Sequence, residues 1–530
     1  MQDLLRVWRH LLIGGIISLM LKNLAKIYSA ELEGIKAKLI EVEVDLNVGL
    51  HAFNIVGLAD KALNEAKERV NSALKNSGVK PPNRENRKIT VNLAPADIKK
   101  TGSQYDLAIA LGYLSATKQM ELFDPSDKIF IGELALDGRL RPIHGVLNIA
   151  QLASECGFKY LYLPSPNANE AAVIEDIKVI PIETLEDAIL ELEGRKTILP
   201  AIFKEHKGRE MSAPDFSEIK GQEHAKRALI IAAAGGHNLL MIGPPGVGKS
   251  LLAQALTGIL PELTKSEAVE ITKIYSAAGL SPGGLLQERP LRSPHQTASI
   301  VSVVGGGSNP RPGEISLAHR GVLFLDELPE FPKNILEALR QPMEAGVVRI
   351  ARAKGTLAFP AKFSLIAAMN PCPCGFYGDP EKECRCGAYE VIRYQKKISG
   401  PLLDRIDLQI KVPRVNIKEL REKKKFEPSS PKIKKQVEAA RKIQAGRFSA
   451  KGGKKIMTNA EMSSRQTEEF INLEPAAEQF LKTLDKTRLS PRGYYRLLKT
   501  AQTIADLEAA ERVKAEHLAE AFSYRLKEEI

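Results

Sequence analysis

The segment NLLMIGPPGVGKSLLAQALTGIL, residues 238–260, constrains the fold more than any other part of this sequence. A short apolar run precedes the pattern Gly-x-x-x-x-Gly-Lys-Ser, and apolar residues at helical spacing follow it. This strand–loop–helix order is the setting of a P-loop, whose glycines let backbone N–H groups close around phosphate oxygens. We therefore expect an α/β domain with a phosphate-binding loop made of Gly243, Pro244, Pro245, Gly246, Val247, Gly248, Lys249 and Ser250.

The chemistry of such a loop assigns roles to two of its side chains. Lys249 is expected to contact the β- and γ-phosphates, and the Ser250 hydroxyl is expected to bind Mg²⁺. The motif therefore predicts a site for ATP or GTP with Mg²⁺ as the companion ion.

Polar side chains follow two further strand-like runs. In GVLFLDELPEF the apolar run ends in Asp326 and Glu327, and FSLIAAMN ends in Asn370. Ligands of open α/β sheets bind at the carboxyl ends of the strands. We expect Asp326 to hold Mg²⁺ together with Ser250, and Glu327 to polarise the attacking water. Asn370 can orient that water, although an Asn after a strand is more often a turn former.

Four of the five cysteines lie within residues 372–386, as two Cys-x-Cys pairs. Four thiolates are a usual ligand set of structural zinc, although Cys-x-x-Cys is the commoner spacing. Free thiols and an iron–sulfur cluster stay open as alternatives. The pattern does not resemble a secreted disulfide framework, so it favours the reducing cytoplasm. The predicted zinc ligands are Cys372, Cys374, Cys384 and Cys386.

The chain of 530 residues is long enough for several domains of ~100–200 residues each. Strand and helix signals alternate in two blocks, and a helical pattern fills the C-terminal part. The predicted divisions are an extension at 1–21, a first α/β domain at 22–196, a linker at 197–216, a second α/β domain at 217–425 with the cysteine insertion, and a basic segment with a helical lid at 426–530.

The amino-terminal extension contains an apolar run from Leu11 to Leu21. That run is shorter than the ~18 residues that a membrane span needs. No small-x-small cleavage site follows it, which argues against a signal peptide. We expect a start nearer Met20 and no membrane association.

Most of the net charge of +12 lies in residues 421–455, which carry thirteen Lys or Arg against three Glu, a net of +10. Such a run is typical of a solvated face, and equally of a surface that binds a polyphosphate. Charge alone therefore leaves nucleic acid open as a partner.

The motifs GPPGVGKS, VLFLDE, AAMNP and LLDRID together resemble the Walker A, Walker B, sensor 1 and arginine-finger motifs of AAA+ ATPases. The stretch 289–331, which begins RPLRSPHQTASIVSVVGGGSNPRPGE, is similar more narrowly to the magnesium-chelatase-like ATPases of the ComM/YifB type. The resemblance extends over nearly the whole chain from about Leu24, with the motifs in the same order.

This resemblance implies roles that spacing alone does not. It implies ATP hydrolysis in a hexameric ring in which Asn370 is sensor 1, Arg405 is a finger acting on a neighbour's nucleotide, and Arg492 is sensor 2 in the helical lid. It also implies a helix-2 insertion at about 271–312 and a hairpin near 347–360. The cysteine loop would then fix a surface segment near a subunit interface.

Residues 22–196 resemble the proteolytic domain of Lon-type proteases, an α/β fold of the ribosomal-protein-S5 type. In KKTGSQYDLAIAL, Gln104 takes the place of the nucleophilic serine, and Ser103 lies one residue early. The position of the activating lysine falls at about Ile149. Because the covalent mechanism needs both groups, we expect no peptidase activity, and a scaffold or a module that binds DNA or a partner protein instead.

The family implies a motor that acts on DNA, and its characterised members suggest branch migration in recombination or in natural transformation, the basis of competence. Two alternatives stay open: a protein-remodelling, chaperone-like ATPase, and a motor for Mg²⁺ insertion into a porphyrin. The central motifs fit the chelatase motors almost equally well, but the Lon-like domain and the cysteine cluster are foreign to them.

Overall fold

The computed structural model describes residues 24–57, 61–84, 86–205, 213–307, 309–352, 355–415, 428–449, 456–484 and 489–525. The predicted extension 1–21, part of the predicted linker and both ends of the basic segment lie outside these ranges. Within them, no helix combines the length and the apolar character needed to cross a bilayer. The chain divides into two compact units, residues 1–206 with 275–285 and residues 207–274 with 286–530.

A four-stranded mixed sheet forms the base of the first unit. Its strands are Leu24–Glu33 (β1), Lys36–Val48 (β2), Ala52–Val56 (β3) and Arg87–Ala94 (β4). They lie in the order β1-β2-β4-β3, and only β3 and β4 pair in parallel. The alternation in AKLIEVEVDL predicts a half-buried strand, and β2 confirms it, since Ile40, Val42 and Val44 are buried and the residues between them are partly exposed.

Two further small sheets and five helices complete the first unit. The strands are Lys128–Phe130 (β5), Glu133–Leu134 (β6), Leu140–Arg141 (β7), Tyr160–Pro164 (β8) and Lys178–Ile182 (β9). The helices are Lys61–Asn76 (α1), Asp106–Thr117 (α2), Val146–Glu155 (α3), Ala168–Ala171 (α4) and Leu185–Leu192 (α5). β5, β8 and β9 are parallel neighbours, and nearly every residue of α2 is buried, as in a central helix.

The mixed α/β character predicted for the first unit is confirmed by these elements. Its likeness to the Lon proteolytic domain stays a prediction. Residues Tyr275–Leu285, which belong to the predicted helix-2 insertion, are part of this unit. The backbone shows one reason, because Ser276 accepts a hydrogen bond from the Gly145 amide at 3.0 Å.

The second unit is built on a five-stranded parallel sheet. Its strands are Leu239–Ile242 (β10), Leu291–Arg292 (β11), Val322–Leu325 (β14), Ser364–Met369 (β17) and Leu408–Lys411 (β18), in the order β11-β14-β17-β10-β18. β10 and β14 are buried at every residue, and this explains why they read as continuous apolar runs rather than as alternating patterns.

Helices and two hairpins surround this sheet. The helices are Glu223–Gly235 (α6), Lys249–Ala255 (α7), Lys265–Ala278 (α8), Ile300–Val304 (α9), Glu314–Leu317 (α10), Lys333–Ala338 (α11), Arg340–Ala345 (α12), Ala388–Gln395 (α13) and Gly400–Leu403 (α14). The hairpins pair Gly305–Gly306 (β12) with Arg311–Pro312 (β13), and Val347–Arg352 (β15) with Gly355–Pro360 (β16). The second hairpin lies at the predicted position.

The C-terminal part is helical, as predicted. Its helices are Ser430–Ser449 (α15), Ser464–Phe470 (α16), Pro475–Leu484 (α17), Pro491–Leu507 (α18) and Ala515–Ser523 (α19). Val437 and Leu497 of these helices belong to the same buried cluster as Leu239 and Ile366 of the sheet. The helical part therefore shares one core with the five-stranded sheet.

A buried carboxylate joins the helical part to the sheet. Asp407, just before β18, accepts a hydrogen bond from the Asn238 amide at 2.9 Å and pairs with Arg496 of α18 at 2.5 Å. Burial alone would raise the pKa of Asp407, but Arg496 and His237 hold that pKa well below its ordinary value. The carboxylate therefore stays ionised at the start of β18.

Replacing this carboxylate tests its contribution. Asp407→Asn keeps the shape of the side chain, and we expect it to lower the free energy of unfolding at pH 7 by ~3–5 kcal/mol, because Arg496 loses its counter-charge. The folded-state pKa is depressed, so the contribution is present above the unfolded-state value of ~3.9 and is lost as the pH falls through the folded-state pKa. Urea unfolding across that pH range measures it.

The control for this measurement is Glu330→Gln. Glu330 pairs with Lys397 on the surface at 3.1 Å, with both side chains more than 40% exposed, and such a pair contributes no more than ~1 kcal/mol. Equal losses in the two variants would contradict a special role for Asp407.

Candidate functional site

The predicted site residues that follow β10, β14 and β17 meet at one edge of the sheet. The register pairs Ile242 with Met369, and Leu325 with Ala367. Gly243, Asp326 and Asn370 therefore leave three adjacent strands at their carboxyl ends. This is the edge at which parallel α/β sheets bind ligands.

Lys249 is held at this edge by three acceptors. Its Nζ donates to the carbonyl oxygens of Gly243 at 2.6 Å and Pro244 at 2.9 Å, and to Asn370 Oδ1 at 3.1 Å. Burial lowers the pKa of Lys249, while the nearby carboxylates of Asp326 and Glu327 oppose that shift. The arrangement leaves a poorly solvated ammonium beside the loop that is predicted to bind phosphates.

Ser250 and Asp326 also meet here. Ser250 Oγ donates to Asp326 Oδ2 at 2.7 Å, and Asp326 Oδ1 accepts from the Glu327 amide at 2.9 Å. Glu327 adopts φ +50°, which is uncommon for a residue with a side chain. The hydroxyl and carboxylate oxygens are hard ligands of the kind Mg²⁺ prefers, so the donor set fits the predicted ion.

Two glycines shape the loop between β10 and α7. Gly246 and Gly248 have φ of +80° and +88°, and a Cβ at either position would meet nothing within 4 Å. A side chain there would be opposed by backbone strain rather than by neighbouring atoms. The space where a Cβ of either glycine would lie is therefore open.

Arg405 and Arg492 do not lie with the predicted site residues at the carboxyl ends of the strands. The carbonyl of Arg405 accepts from Asn238 Nδ2 at 3.1 Å, and Asn238 precedes β10 whereas Gly243 follows it. The four-residue strand places ~13 Å between these two edges. Arg405 therefore lies at the edge opposite the predicted phosphate-binding loop of the same chain.

Glu344 of α12 contacts both Arg405 and Arg492. Glu344 Oε1 lies 2.7 Å from Arg405 Nη2 and 3.0 Å from Arg492 Nη2. The side chain of Arg405 is 7% exposed, whereas that of Arg492 is 55% exposed. Sequence reasoning did not single out Glu344, because a glutamate in a charged helix carries no motif and only the folded chain brings it between two distant arginines.

The four clustered cysteines converge. Their sulfur atoms all lie within 4.8 Å of one another, with Cys372 Sγ 3.4 Å from Cys374 Sγ and 3.7 Å from Cys384 Sγ. A tetrahedral ion with bonds of ~2.3 Å separates its sulfur ligands by ~3.8 Å. The amides of Cys374 and Tyr377 donate to Cys386 Sγ and Cys372 Sγ, as they would to thiolates. The donor set therefore fits a metal ion of the zinc type.

The residues aligned with a protease dyad do not form one. Ser103 Oγ donates to the Glu133 carboxylate. Ile149 is 1% exposed and belongs to a core cluster. The absence of peptidase activity stays a prediction.

A phosphate-type loop, an acidic strand end and a polar strand end at one edge of a parallel sheet are the parts of a P-loop ATPase. Three family models match the chain: "Magnesium chelatase, subunit ChlI" over residues 215–420, "Subunit ChlI of Mg-chelatase" over 42–167 and "Magnesium chelatase, subunit ChlI C-terminal" over 427–525. Together they cover both units.

Individual relatives indicate the group within this family to which the chain belongs. Competence protein ComM of Haemophilus influenzae is 43% identical over 514 residues, 95% of this chain and 97% of the relative. Uncharacterized protein YifB of Escherichia coli is 40% identical over 505 residues, with 95% and 97% covered. The chain belongs to the magnesium-chelatase-like family of AAA+ ATPase motors, in the group of ComM and YifB. The magnesium-chelatase 38 kDa subunit of Rhodobacter capsulatus is 30% identical over 177 residues, 29% of this chain and 50% of the relative.

Glu327→Gln tests the predicted role of the acidic strand end. We expect the variant to bind ATP as the unaltered protein does and to hydrolyse it ~10²–10⁴-fold more slowly, because an amide is a poor base for the attacking water. A fluorescent ATP analogue measures binding, and phosphate release measures turnover. Glu330→Gln, three residues on and exposed, is the matched control. Normal turnover in Glu327→Gln would assign the role to another residue.

Proposed function

We propose that this protein is an ATP-hydrolysing ring motor that acts on DNA, and that it drives branch migration of joint molecules in recombination or natural transformation. The observation that carries the DNA part is a pair of arginine-bearing hairpins without acidic residues. Residues 293–312 and 345–363, which contain β12–β13 and β15–β16, include no Asp or Glu. Such a surface suits a phosphate backbone.

The two hairpins lie against each other. Arg352 Nη2 donates to the carbonyl of Gly307 at 2.6 Å, and a Cβ on Gly305 would lie 3.4 Å from Ile350 Cδ1. Arg311, Arg349 and Arg352 are exposed on them. The joined hairpins therefore present three arginines on one connected element, which we propose contacts DNA.

The basic run of 421–455 supports DNA binding less than its charge suggests. Residues 421–427 and 450–455 lie outside the described residues. In α15, the Arg441 guanidinium donates to the carbonyl of Ala233 at 2.8 Å, Arg447 pairs with Asp506, and Lys434 lies 3.1 Å from Glu262. Half of the basic side chains of α15 are thus engaged within the protein, and the exposed ones are Lys432, Lys435 and Lys442.

Salt dependence distinguishes the hairpins from the basic helix. We expect Arg311→Ala and Arg349→Ala each to weaken four-way DNA binding and to reduce the slope of log K against log salt by about one, because each removes a phosphate contact. Lys432→Ala in α15 is the matched control and should leave the slope unchanged. Absence of binding and of ATPase stimulation by forked or four-way DNA at low salt would overturn the DNA proposal.

The proposed ring is supported by the positions of residues at the two edges of the sheet. Each subunit has the predicted nucleotide residues at one edge and Arg405 with Arg492 at the other, so a complete site needs a second copy. We propose that both arginines act on the neighbour's nucleotide in a closed ring, a hexamer by family. The same asymmetry gives a head-to-tail interface, which closes into rings.

Mixing two inactive variants tests this arrangement. Arg405→Ala should reduce turnover ~10³-fold or more, and Lys249→Ala should abolish nucleotide binding. A mixed ring should regain activity, because an Arg405→Ala subunit offers an intact nucleotide loop to an intact finger on a Lys249→Ala neighbour. Arg465→Ala, an exposed arginine of α16, is the single-variant control. A mixture as inactive as its parts would place Arg405 in its own subunit's site or outside catalysis.

The cysteine cluster we assign to structural zinc, with no open coordination position and no part in the reaction. We also propose a cytoplasmic location, where thiols stay reduced.

The chelatase alternative is favoured by the match to the magnesium-chelatase 38 kDa subunit, but that match spans 29% of the chain. Stimulation of ATP hydrolysis by DNA rather than by a porphyrin-binding partner separates the two, and stimulation by unfolded protein would favour a remodelling ATPase.

A further inference from the structure

The cysteine loop packs on the nucleotide loop of its own subunit. Gly375, between Cys374 and Tyr377, has φ +86°, and a Cβ built on it would lie 2.6 Å from Pro245 Cδ and 3.8 Å from Asn370 Cγ. Pro245 is part of the loop that precedes Lys249. The backbone at Gly375 therefore forms a wall against the predicted phosphate-binding loop, and no side chain fits between them.

The same loop begins at the polar end of β17. Cys372 is fully buried and follows Asn370 by two residues, and its carbonyl accepts from the Gly375 amide at 3.0 Å. The carbonyl of the intervening Pro371 accepts a hydrogen bond from Gln395 Nε2 at 3.0 Å. Asn370 in turn accepts from Lys249 Nζ. A short chain of contacts thus runs from the thiols to the ammonium of the nucleotide site.

The segment that carries the thiols lacks regular secondary structure, and side-chain contacts such as Arg414 Nε with Asp379 at 2.8 Å hold one part of it. Residues 370–387 form only turns and irregular backbone, with neither helix nor strand. Loops of this kind take their conformation from a bound metal, whose binding free energy becomes folding free energy. We therefore expect the position of Gly375 against Pro245 to depend in part on the four ligands being gathered.

We propose that a thiophilic divalent ion, Zn²⁺, held by the four cysteines builds one wall of the nucleotide site, so that metal binding and nucleotide binding in the same subunit strengthen each other. This inference rests on the nucleotide and zinc sites proposed above. Loss of the metal is then expected to weaken nucleotide binding, rather than to impair a segment near the subunit interface. Because coupling of two ligands is reciprocal, each ligand changes the affinity of the other by the same factor.

The reciprocal test uses the full-length protein purified with Zn²⁺. Its affinity for a fluorescent ATP analogue is measured before and after zinc removal by a chelator, and the zinc affinity is measured by chelator competition with and without the analogue. We expect nucleotide affinity to fall about tenfold without zinc, and zinc affinity to fall by a similar factor without nucleotide. Equal affinities in both comparisons overturn the coupling and leave the proposed ATPase intact.

Two variants distinguish the effect of the Gly375 backbone on nucleotide binding from the effect of the bound metal. Gly375→Ala keeps all four thiols, so it should retain zinc and still bind nucleotide more weakly, because its Cβ displaces Pro245. Cys384→Ser should lose zinc and show the nucleotide affinity of the chelated protein, while Cys156→Ser, at the exposed fifth cysteine, should change neither. Normal nucleotide affinity in Gly375→Ala overturns the wall. Zinc-free preparations with strong nucleotide binding overturn the zinc site, and zinc-loaded preparations that bind no nucleotide overturn the proposed function.

Discussion

The register of three adjacent parallel strands is the constraint on which the rest of the second unit depends. Because Ile242 of β10 pairs with Met369 of β17, and Leu325 of β14 pairs with Ala367 two residues earlier, the residues after the three strands emerge near one another. A shift by one residue would turn every buried side chain to the other face of the sheet. The predicted phosphate-binding loop, the Asp326 carboxylate and Asn370 are therefore brought together by core packing, and hydrogen bonds of Lys249 and Ser250 join them.

This dependence explains which parts of the site could be predicted from the sequence. Asp326, Asn370 and Lys249 each follow a recognisable apolar run or motif, so strand ends and the P-loop pattern locate them. Glu344 and Gly375 follow no such signal. Their importance arises from contacts across 61 and 130 residues of chain, to Arg405 and Pro245, and sequence periodicity does not report contacts at that range. The strand β2 and the hairpin β15–β16 were predictable because local alternation or family resemblance reports them directly.

The charge pattern of the sequence also fails to report contacts that form only in the folded chain. The run 421–455 has the highest basic density, yet Arg441 and Arg447 are used to attach α15 to α6 and α18. A count of charges does not distinguish a cation with an internal acceptor from one that faces solvent. The hairpin surface carries fewer cations, but no carboxylate in its segments competes for them. The absence of acids in the hairpins is therefore the pattern on which the proposed DNA contact rests.

Charged contacts connect the helical part both to the sheet and to the residue that binds Arg405. Asp407 and Arg496 join α18 to the edge where β18 begins, and Arg492 lies on the first turn of the same helix beside Glu344. Since these helices share a buried core with the sheet, movement of α18 must displace Arg492 relative to Arg405 or strain the Asp407 pair. A neighbour's nucleotide that draws both arginines from Glu344 would therefore act on the helical part of the subunit that supplies them.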